Sequence, residues 1–176
     1  MAKRIIKVVE YDEAWKVLFL IEKQSLSKLL DEQAIAIEHI GSTSVVGLWA
    51  KPIIDILVEV HSLSVVDTLI ADFEKLGYKA KGENGIEGRR YFQKGGVNRT
   101  HHLHIFELGS LHAFNHRIFR DYLNSHPKLA TQYGEIKKCA ANKCKNDMQI
   151  YMALKDEFIK TQLSNARSWY ENNTNP

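Results

Sequence analysis

Cysteine, proline and long apolar runs are all scarce in this sequence. It holds two cysteines, Cys139 and Cys144, and three prolines in 176 residues. Two cysteines five positions apart have no metal-ligand spacing and cannot supply the disulfide framework of a small secreted domain, so we expect reduced thiols. The start, MAKRIIKVVEYDEAW, lacks the apolar stretch of a signal peptide. No apolar run reaches the ~20 residues that a membrane span needs. We therefore expect a cytoplasmic protein with no membrane partner.

An excess of one charge sign is also missing. Lysine and arginine number 24 against 21 aspartates and glutamates, a formal net charge of +3. This balance lacks the dense basic stripe of a dedicated nucleic-acid-binding protein, but it tolerates an anionic ligand. With 44% hydrophobic and 26% charged residues, the chain is typical of one globular domain with a sizeable core. We predict a single domain over residues 1–165 and a disordered polar tail over residues 166–176.

Hydrophobic periodicity predicts an α/β fold. Alternating or continuous apolar runs indicate strands, and apolar residues that recur every three or four positions indicate helices. We therefore predict a mixed β-sheet of five or six strands flanked by helices, with a C-terminal helical hairpin or bundle. The predicted strands cover residues 4–10, 35–40, 53–60, 78–80, 89–93 and 100–106, and the predicted helices cover 13–30, 64–76, 112–124, 128–145 and 147–163.

The most informative stretch, residues 35–60, reads as strand, polar turn, loop and strand. Gly41 permits a tight turn or a close approach of the backbone to a ligand, and the hydroxyl residues at 42–44 offer donors for an anion. Asp55 interrupts an otherwise apolar strand, and an unpaired buried carboxylate is strongly destabilising. We therefore expect Asp55 to face a pocket, a metal or a cation, with Lys51 beside it.

A second segment with potential metal-ligating side chains is THHLHIF, residues 100–106. His102 and His104 share one face of the predicted strand, and two imidazoles two residues apart can converge on one metal ion. Asp55 on a neighbouring strand is the natural third ligand. A polar histidine cluster without metal is the alternative.

Two pairs of basic neighbours are open to two interpretations each. Arg89 and Arg90 precede two aromatic residues, as in a nucleotide site, but a solvated hairpin has the same pattern. Lys137 and Lys138 face a pocket and bind phosphate, or they belong to a solvated helix face.

The turn and the Asp55 strand resemble the GrpB family, and the resemblance extends over about residues 5–163. Other motifs follow in the family's order. GrpB proteins are an uncharacterised bacterial group assigned to the nucleotidyltransferase superfamily, so the resemblance implies a polymerase-β-like fold. The further motifs are YDEAW at 11–15, GRRYF at 88–92, RTHHLH at 99–104, FRDYL at 119–123 and HP at 126–127.

The resemblance also implies a phosphate-binding turn at Gly41, Ser42 and Ser44 and a metal-binding acid at Asp55. Superfamily members carry two acids two residues apart on this strand, so that two carboxylates bridge a pair of Mg²⁺ ions. Leu57 stands at the second place in this chain. The expected Mg²⁺ clamp is therefore incomplete.

His102 and His104 look like replacements for a third acid that other superfamily members carry on a neighbouring strand. Imidazole suits Zn²⁺, Mn²⁺ or Ni²⁺ better than Mg²⁺. The two histidines therefore shift the expected metal towards a transition metal.

Three functions are compatible with these features. The chain is a nucleotidyltransferase acting on an unidentified acceptor, a metal-dependent or metal-binding protein, or a non-catalytic module that binds a nucleotide or an acidic metabolite. The expected ligands are an NTP, or another acidic small molecule, and a divalent metal, Zn, Mn, Ni or Mg. The predicted catalytic residues are Asp55 and His104, the predicted phosphate-binding residues are Gly41, Ser42, Ser44, Lys51, Arg89 and Arg90, and the predicted metal ligands are Asp55, His102 and His104.

Overall fold

A computed structural model describes residues 5–174 and contains a five-stranded mixed sheet with helices on both faces. The predicted fold class, a mixed sheet flanked by helices with further helices at the C-terminal end, is confirmed. Within this range no helix is both long and apolar enough to cross a membrane. The strands are β1 Ala34–Ile40, β2 Ile54–Val60, β3 Tyr78–Ala80, β4 Arg89–Lys94 and β5 His101–Glu107. The helices are α1 Ala14–Leu30, α2 Leu63–Thr68, α3 Ile70–Lys75, α4 Leu111–Ser125, α5 Pro127–Lys143 and α6 Met148–Thr174.

The sheet has the strand order β1-β2-β5-β4-β3, and β2 and β5 form its central, parallel pair. Both strands are buried along most of their length, as expected where helices cover both faces of a sheet. The register places Asp55 opposite His102 and Leu57 opposite His104. The parallel pairing therefore brings the carboxylate of β2 next to the histidines of β5.

One face of the sheet is covered by α1, α2 and α3. The buried residues of α1 recur at spacings of three or four, so they form one stripe along the helix. This stripe packs on residues 54, 56 and 58 of β2, which alternate with Asp55 and point to the opposite face from it. The buried stripe of α1 consists of Trp15, Phe19, Glu22, Leu26 and Leu30.

The other face is covered by α4, against which α5 and α6 pack. Leu57 is 1% exposed here and belongs to an apolar cluster that includes Ala113 of α4. Arg117 of α4 ties two strands together, because its Nη2 lies 2.6 Å from Glu38 of β1 and 2.6 Å from Glu59 of β2. The place of the missing second acid is therefore part of the core.

Two predicted elements differ in the structure. The helix predicted over 64–76 is two short helices, α2 and α3, because Leu69 leaves the helical region at φ −99° and ψ 7°. The strand predicted over 4–10 is wrong for residues 5–10, which form a single bridge between Val9 and Ala50. This segment runs beside the loop that precedes β2 rather than beside a strand. Arg4 lies outside the described residues.

The C-terminal helix is longer than predicted. α6 continues to Thr174, so the disordered tail predicted for residues 166–176 is wrong over 166–174. Ala166 is fully buried, and the ring of Trp169 lies 5.7 Å from the ring of Tyr122 on α4. These contacts hold the last turns of α6 against α4. Residues 175–176 lie outside the described range.

Candidate functional site

Asp55, His102 and His104 lie side by side on the two central strands. His102 Nδ1 is 3.1 Å and His104 Nε2 is 3.4 Å from the same oxygen, Asp55 Oδ1. The register of β2 and β5 sets His102 beside Asp55, and the two-residue alternation of a strand brings His104 to the same face. The three side chains converge as the sequence predicts, while their catalytic and metal-binding roles stay predictions.

The second neighbour of His104 determines which ring nitrogen carries its proton. His104 Nδ1 faces Nη1 of Arg89 at 3.5 Å. A guanidinium has donors only, so Nδ1 accepts and Nε2–H donates to Asp55. Arg89 is itself fixed because it donates to the backbone oxygens of Glu83 at 3.1 Å and Asn84 at 2.7 Å. Arg89 therefore helps to orient the His104 ring through the nitrogen that does not face Asp55.

Asp55 is the ionised acid of this cluster. Burial alone would raise the pKa of Asp55, but hydrogen bonds from His102 and His104 hold that pKa well below its usual range. Gly41 leaves room for the carboxylate, because a Cβ at this position would lie 2.6 Å from Asp55 Oδ2. The close approach that the sequence predicts for a ligand at Gly41 is therefore made by Asp55.

A cavity of about 450 Å³ opens beside Asp55, between the sheet and the C-terminal helices. Four basic side chains line it, Lys51, Arg99, Lys137 and Lys155. Among the described residues that line it, Asp55 is the one carboxylate. This excess of positive charge suits an anionic ligand. We call this space the central cavity.

Lys137 is buried at the helix side of the central cavity. It is 2% exposed, its Nζ has no hydrogen-bond partner among residues 5–174, and it lies 4.5 Å from the centre of the Tyr133 ring. Burial first, and then the charges of Lys155 and Lys51, lower the pKa of Lys137 well below its ordinary value. A buried amine without a carboxylate partner is destabilising, and such groups cluster at functional sites.

Lys155 of α6 completes the helix side of the cavity. It is 8% exposed, and its Nζ lies 4.4 Å from the centre of the Tyr151 ring. Burial and the charge of Lys51 lower the pKa of Lys155 to about 8, although Asp55 acts in the opposite direction. This amine therefore exchanges its proton close to neutral pH.

The turn after Gly41 presents one of its three hydroxyl residues, Ser42, to the central cavity. Ser44 Oγ donates to the backbone oxygen of Gly41 at 2.5 Å, and Thr43 Oγ1 donates to that of Ile53 at 3.3 Å. Both hydroxyls therefore hold the turn in shape. Of the two predicted phosphate-binding serines, Ser42 faces the cavity and Ser44 does not.

The two predicted arginines do not line the cavity. Alternation along β4 sends Arg89 beneath His104 and Arg90 to the other face of the sheet. There, Arg90 Nε and Nη2 donate to Asp67 at 2.6 and 2.9 Å. Neither guanidinium lines the central cavity, whereas the side chain of Lys51 does.

Reasoning from sequence missed Arg99 and Lys155 and did not separate Lys137 from Lys138. Lys138 lies outside the buried stripe of α5 and pairs with Glu135. The helical periodicity of the sequence contains this difference, because Lys137 falls at the same spacing as the small and aromatic residues on the buried side of the helix. The buried residues of α5 are Ala130, Tyr133, Gly134, Lys137 and Ala140.

The donor set around Asp55 does not have the arrangement of a metal site. In the part of the chain that the structure describes, no three His, Cys, Asp or Glu side chains are placed to hold a metal ion. His102 and His104 direct a ring nitrogen each at one oxygen of Asp55, so the three side chains are hydrogen-bonded to one another. The predicted divalent metal therefore stays a prediction.

Comparison with known proteins identifies close relatives of this chain. The family model described as GrpB protein matches residues 5–165. The UPF0157 protein YqkA of Bacillus subtilis is 44% identical over 173 residues, which cover 98% of this chain and 50% of YqkA. The glutamate-rich protein GrpB of Alkalihalophilus pseudofirmus is 37% identical over 157 residues, which cover 86% of this chain and 90% of that protein. The chain therefore spans about half the length of YqkA.

A solved structure shares the fold. The crystal structure of conserved protein GrpB from Enterococcus faecalis aligns with a TM-score of 0.90 and 44% identity, covering 93% of this chain and 99% of that one. The poly(U) polymerase Cid1 aligns with a TM-score of 0.47 and 12% identity, a likeness too weak to carry an argument.

Proposed function

Because this chain belongs to the GrpB family, we propose that its central cavity binds a nucleotide through the phosphate groups, as a nucleotidyltransferase-like protein would. One observation carries the proposal: four basic side chains, including the buried Lys137, line one cavity together with a single carboxylate. Phosphate oxygens would add negative charge beside these side chains and would supply a hydrogen-bond acceptor for Lys137 Nζ, which has none among residues 5–174. The further inference that the phosphate belongs to a nucleotide depends on the resemblance to the GrpB family.

The cations and the turn have distinct roles in this proposal. Lys51, Lys155 and Arg99 bind phosphate oxygens from the sides, and the Ser42 hydroxyl donates from the turn. Lys137 takes up a proton when the phosphate enters, because a nearby negative charge favours the ammonium form. Binding is therefore accompanied by proton uptake.

Transfer of the nucleotidyl group would use the carboxylate and histidines beside the phosphates. His102 Nδ1–H donates to Asp55, which leaves His102 Nε2 with a lone pair, and this atom is buried without a hydrogen-bond partner in the described range. A histidine that a carboxylate orients in this way is a general-base arrangement. In this proposal a hydroxyl group of the acceptor molecule attacks the α-phosphorus of the NTP and His102 takes the hydroxyl proton, while the bond from that phosphorus to the bridging oxygen breaks and pyrophosphate leaves beside Lys51 and Arg99. Asp55 and His104 position His102.

A thermal-shift titration with ATP, pyrophosphate and adenosine tests the phosphate contact. ATP and pyrophosphate should raise the melting temperature, and adenosine should not. A ligand at a hundred times its Kd adds about 2.7 kcal/mol to the free energy of unfolding, which such a titration detects. The shift should be lost in Lys155→Met and kept in Lys138→Met, a matched change outside the cavity.

Equal shifts with adenosine and ATP would contradict the phosphate contact, and the absence of any shift would contradict nucleotide binding. The same titration with EDTA, and then with Zn²⁺ or Mg²⁺, tests the predicted metal. A metal held by Asp55, His102 and His104 would add stability that a His102→Ala, His104→Ala double variant loses.

A further inference from the structure

We infer that Lys137 is a reactive amine that forms a Schiff base with a small anionic aldehyde or ketone in the central cavity. This activity goes beyond phosphate binding, because it needs a carbonyl group and makes a covalent bond. It depends on three features of the molecule: the setting of Lys137, its cationic neighbours and the shape of the cavity.

The setting of Lys137 is that of a functional amine rather than a structural one. A lysine that stabilises a protein interior pairs with a carboxylate. Lys94 is such a case here, because its Nζ lies 2.9 Å from Glu22 Oε1. Lys137 is more deeply buried, yet no ion pair and no hydrogen bond to its Nζ is found within residues 5–174. The amine is held in place by the Tyr133 ring and lines the cavity.

The neighbours of Lys137 favour the uncharged amine, which is the form that attacks a carbonyl carbon. Lysines become nucleophiles when they are desolvated or lie next to another cation. Lys137 meets both conditions, since burial and the charges of Lys155 and Lys51 lower its pKa, against the opposing charge of Asp55. Lys138, the next residue, is only half-buried and has a carboxylate partner in Glu135.

The cavity selects the class of carbonyl compound. Its volume of about 450 Å³ holds a small metabolite, and Lys51 and Arg99 line it together with Lys137. A carboxylate or phosphate group on the ligand would pair with these two cations and present the carbonyl carbon to Lys137. A 2-oxo acid or a phosphorylated aldehyde has this chemistry, whereas an uncharged aldehyde lacks the anion.

The reaction balances with the groups that are present. Lys137 Nζ attacks the carbonyl carbon and gives a carbinolamine, and one Nζ proton passes to the carbonyl oxygen. The lone pair of Nζ then forms the C=N bond as the C–O bond breaks, and the hydroxyl leaves as water after protonation. Lys155 is the proton donor for this step, since its pKa of about 8 lets it give and regain a proton near neutral pH. The products are one imine and one water.

Reductive trapping tests the inference on the full chain. The protein is incubated with glyoxylate and cyanoborohydride near neutral pH, and the product is analysed by intact mass and peptide mapping. One adduct should form at Lys137, with at least a tenfold faster rate than at any other lysine. Lys137→Met, which keeps the side-chain volume, should lose this adduct, and Lys138→Met should keep it. Acetaldehyde at the same concentration should trap Lys137 more slowly than glyoxylate.

Labelling spread over exposed lysines, or labelling of equal rate and extent in Lys137→Met, would overturn the inference. So would equal rates for acetaldehyde and glyoxylate, which would remove the anion requirement. Circular dichroism and a melting curve show that each variant is folded, and Lys137→Arg, which keeps a cation but has no nucleophilic amine, serves as a second loss-of-reaction variant. The result is independent of the ATP titration, so nucleotide binding and amine reactivity can fail separately.

Discussion

The buried amine of Lys155 links the charge of one residue to the stability of the fold. Its pKa falls from 10.5 to about 8 on folding because the ammonium form is desolvated and lies near Lys51. Between these two values the unfolded chain binds the proton and the folded chain does not. The free energy of unfolding therefore rises with pH through this window, and below about pH 8 the full penalty is present.

Lys155→Met should remove this pH dependence. We expect the variant to be more stable than the wild type by on the order of 3 kcal/mol below pH 8, because a shift of about 2.5 pKa units is worth that much. The difference should shrink with rising pH and approach zero above pH 10.5, where the lysine is neutral in both states. Urea unfolding at several pH values measures it, with Lys138→Met as the control. A difference that does not change with pH would contradict the burial of a neutral amine.

At the scale of the element, the turn between β1 and β2 is shaped by one close approach. Gly41 has φ 70°, and a Cβ there would meet Asp55 Oδ2 at 2.6 Å. Gly47, in the following loop, has φ 76° and open space around the place of its Cβ. The two glycines share a positive φ but differ in their neighbours. Gly47 therefore provides a comparison in which a positive φ is not accompanied by a collision.

Gly41→Ala should be markedly more damaging than Gly47→Ala. Both variants place alanine at a positive φ, which costs about 1–3 kcal/mol, but only Gly41→Ala forces the Asp55 carboxylate to move. We expect a larger loss of unfolding free energy in Gly41→Ala and, in addition, altered NMR shifts of the His102 and His104 ring nitrogens. Equal losses in the two variants, with unchanged histidine resonances, would show that Asp55 does not occupy this space.

At the scale of the whole molecule, the central cavity lies between two parts of the fold. The sheet and its loops supply Asp55, Lys51 and Ser42, and helices α5 and α6 supply Lys137 and Lys155. An anion that contacts both sides would tie the helices to the sheet. Its effect should therefore be seen in the stability of the helices and not only at the contact residues.

Pyrophosphate should slow amide hydrogen exchange along α5 and α6. We expect this because an anion that contacts both the sheet and the helices suppresses local opening of the two helices. Hydrogen exchange followed by mass spectrometry measures this, and α2, on the other face of the sheet, serves as an internal control. Lys155→Met should reduce the protection. Slower exchange confined to the 41–44 turn would mean that the anion does not reach the helices.

The sequence by itself determined the local elements and the pairing chemistry of the central strands. The patterns at 53–60 and 100–106 predict the strands that the structure shows at 54–60 and 101–107, and the two-residue period puts His102 and His104 on the same face of their strand. Helix α1 follows from its spacing of apolar residues in the same way. These features depend on neighbours along the chain, which the sequence contains.

Only the tertiary structure decided which cations belong to the site. Arg89 and Arg90 are adjacent residues of the same type, yet Arg90 pairs with Asp67 on the face of the sheet that is opposite to the site. Lys137 is buried because α5 and α6 close over the cavity, and Lys155 is set against it by the packing of α6. A side chain's burial depends on elements distant in sequence, and the pKa of a lysine depends on that burial. The chemistry of the two amines therefore arises only when the helices pack on the sheet.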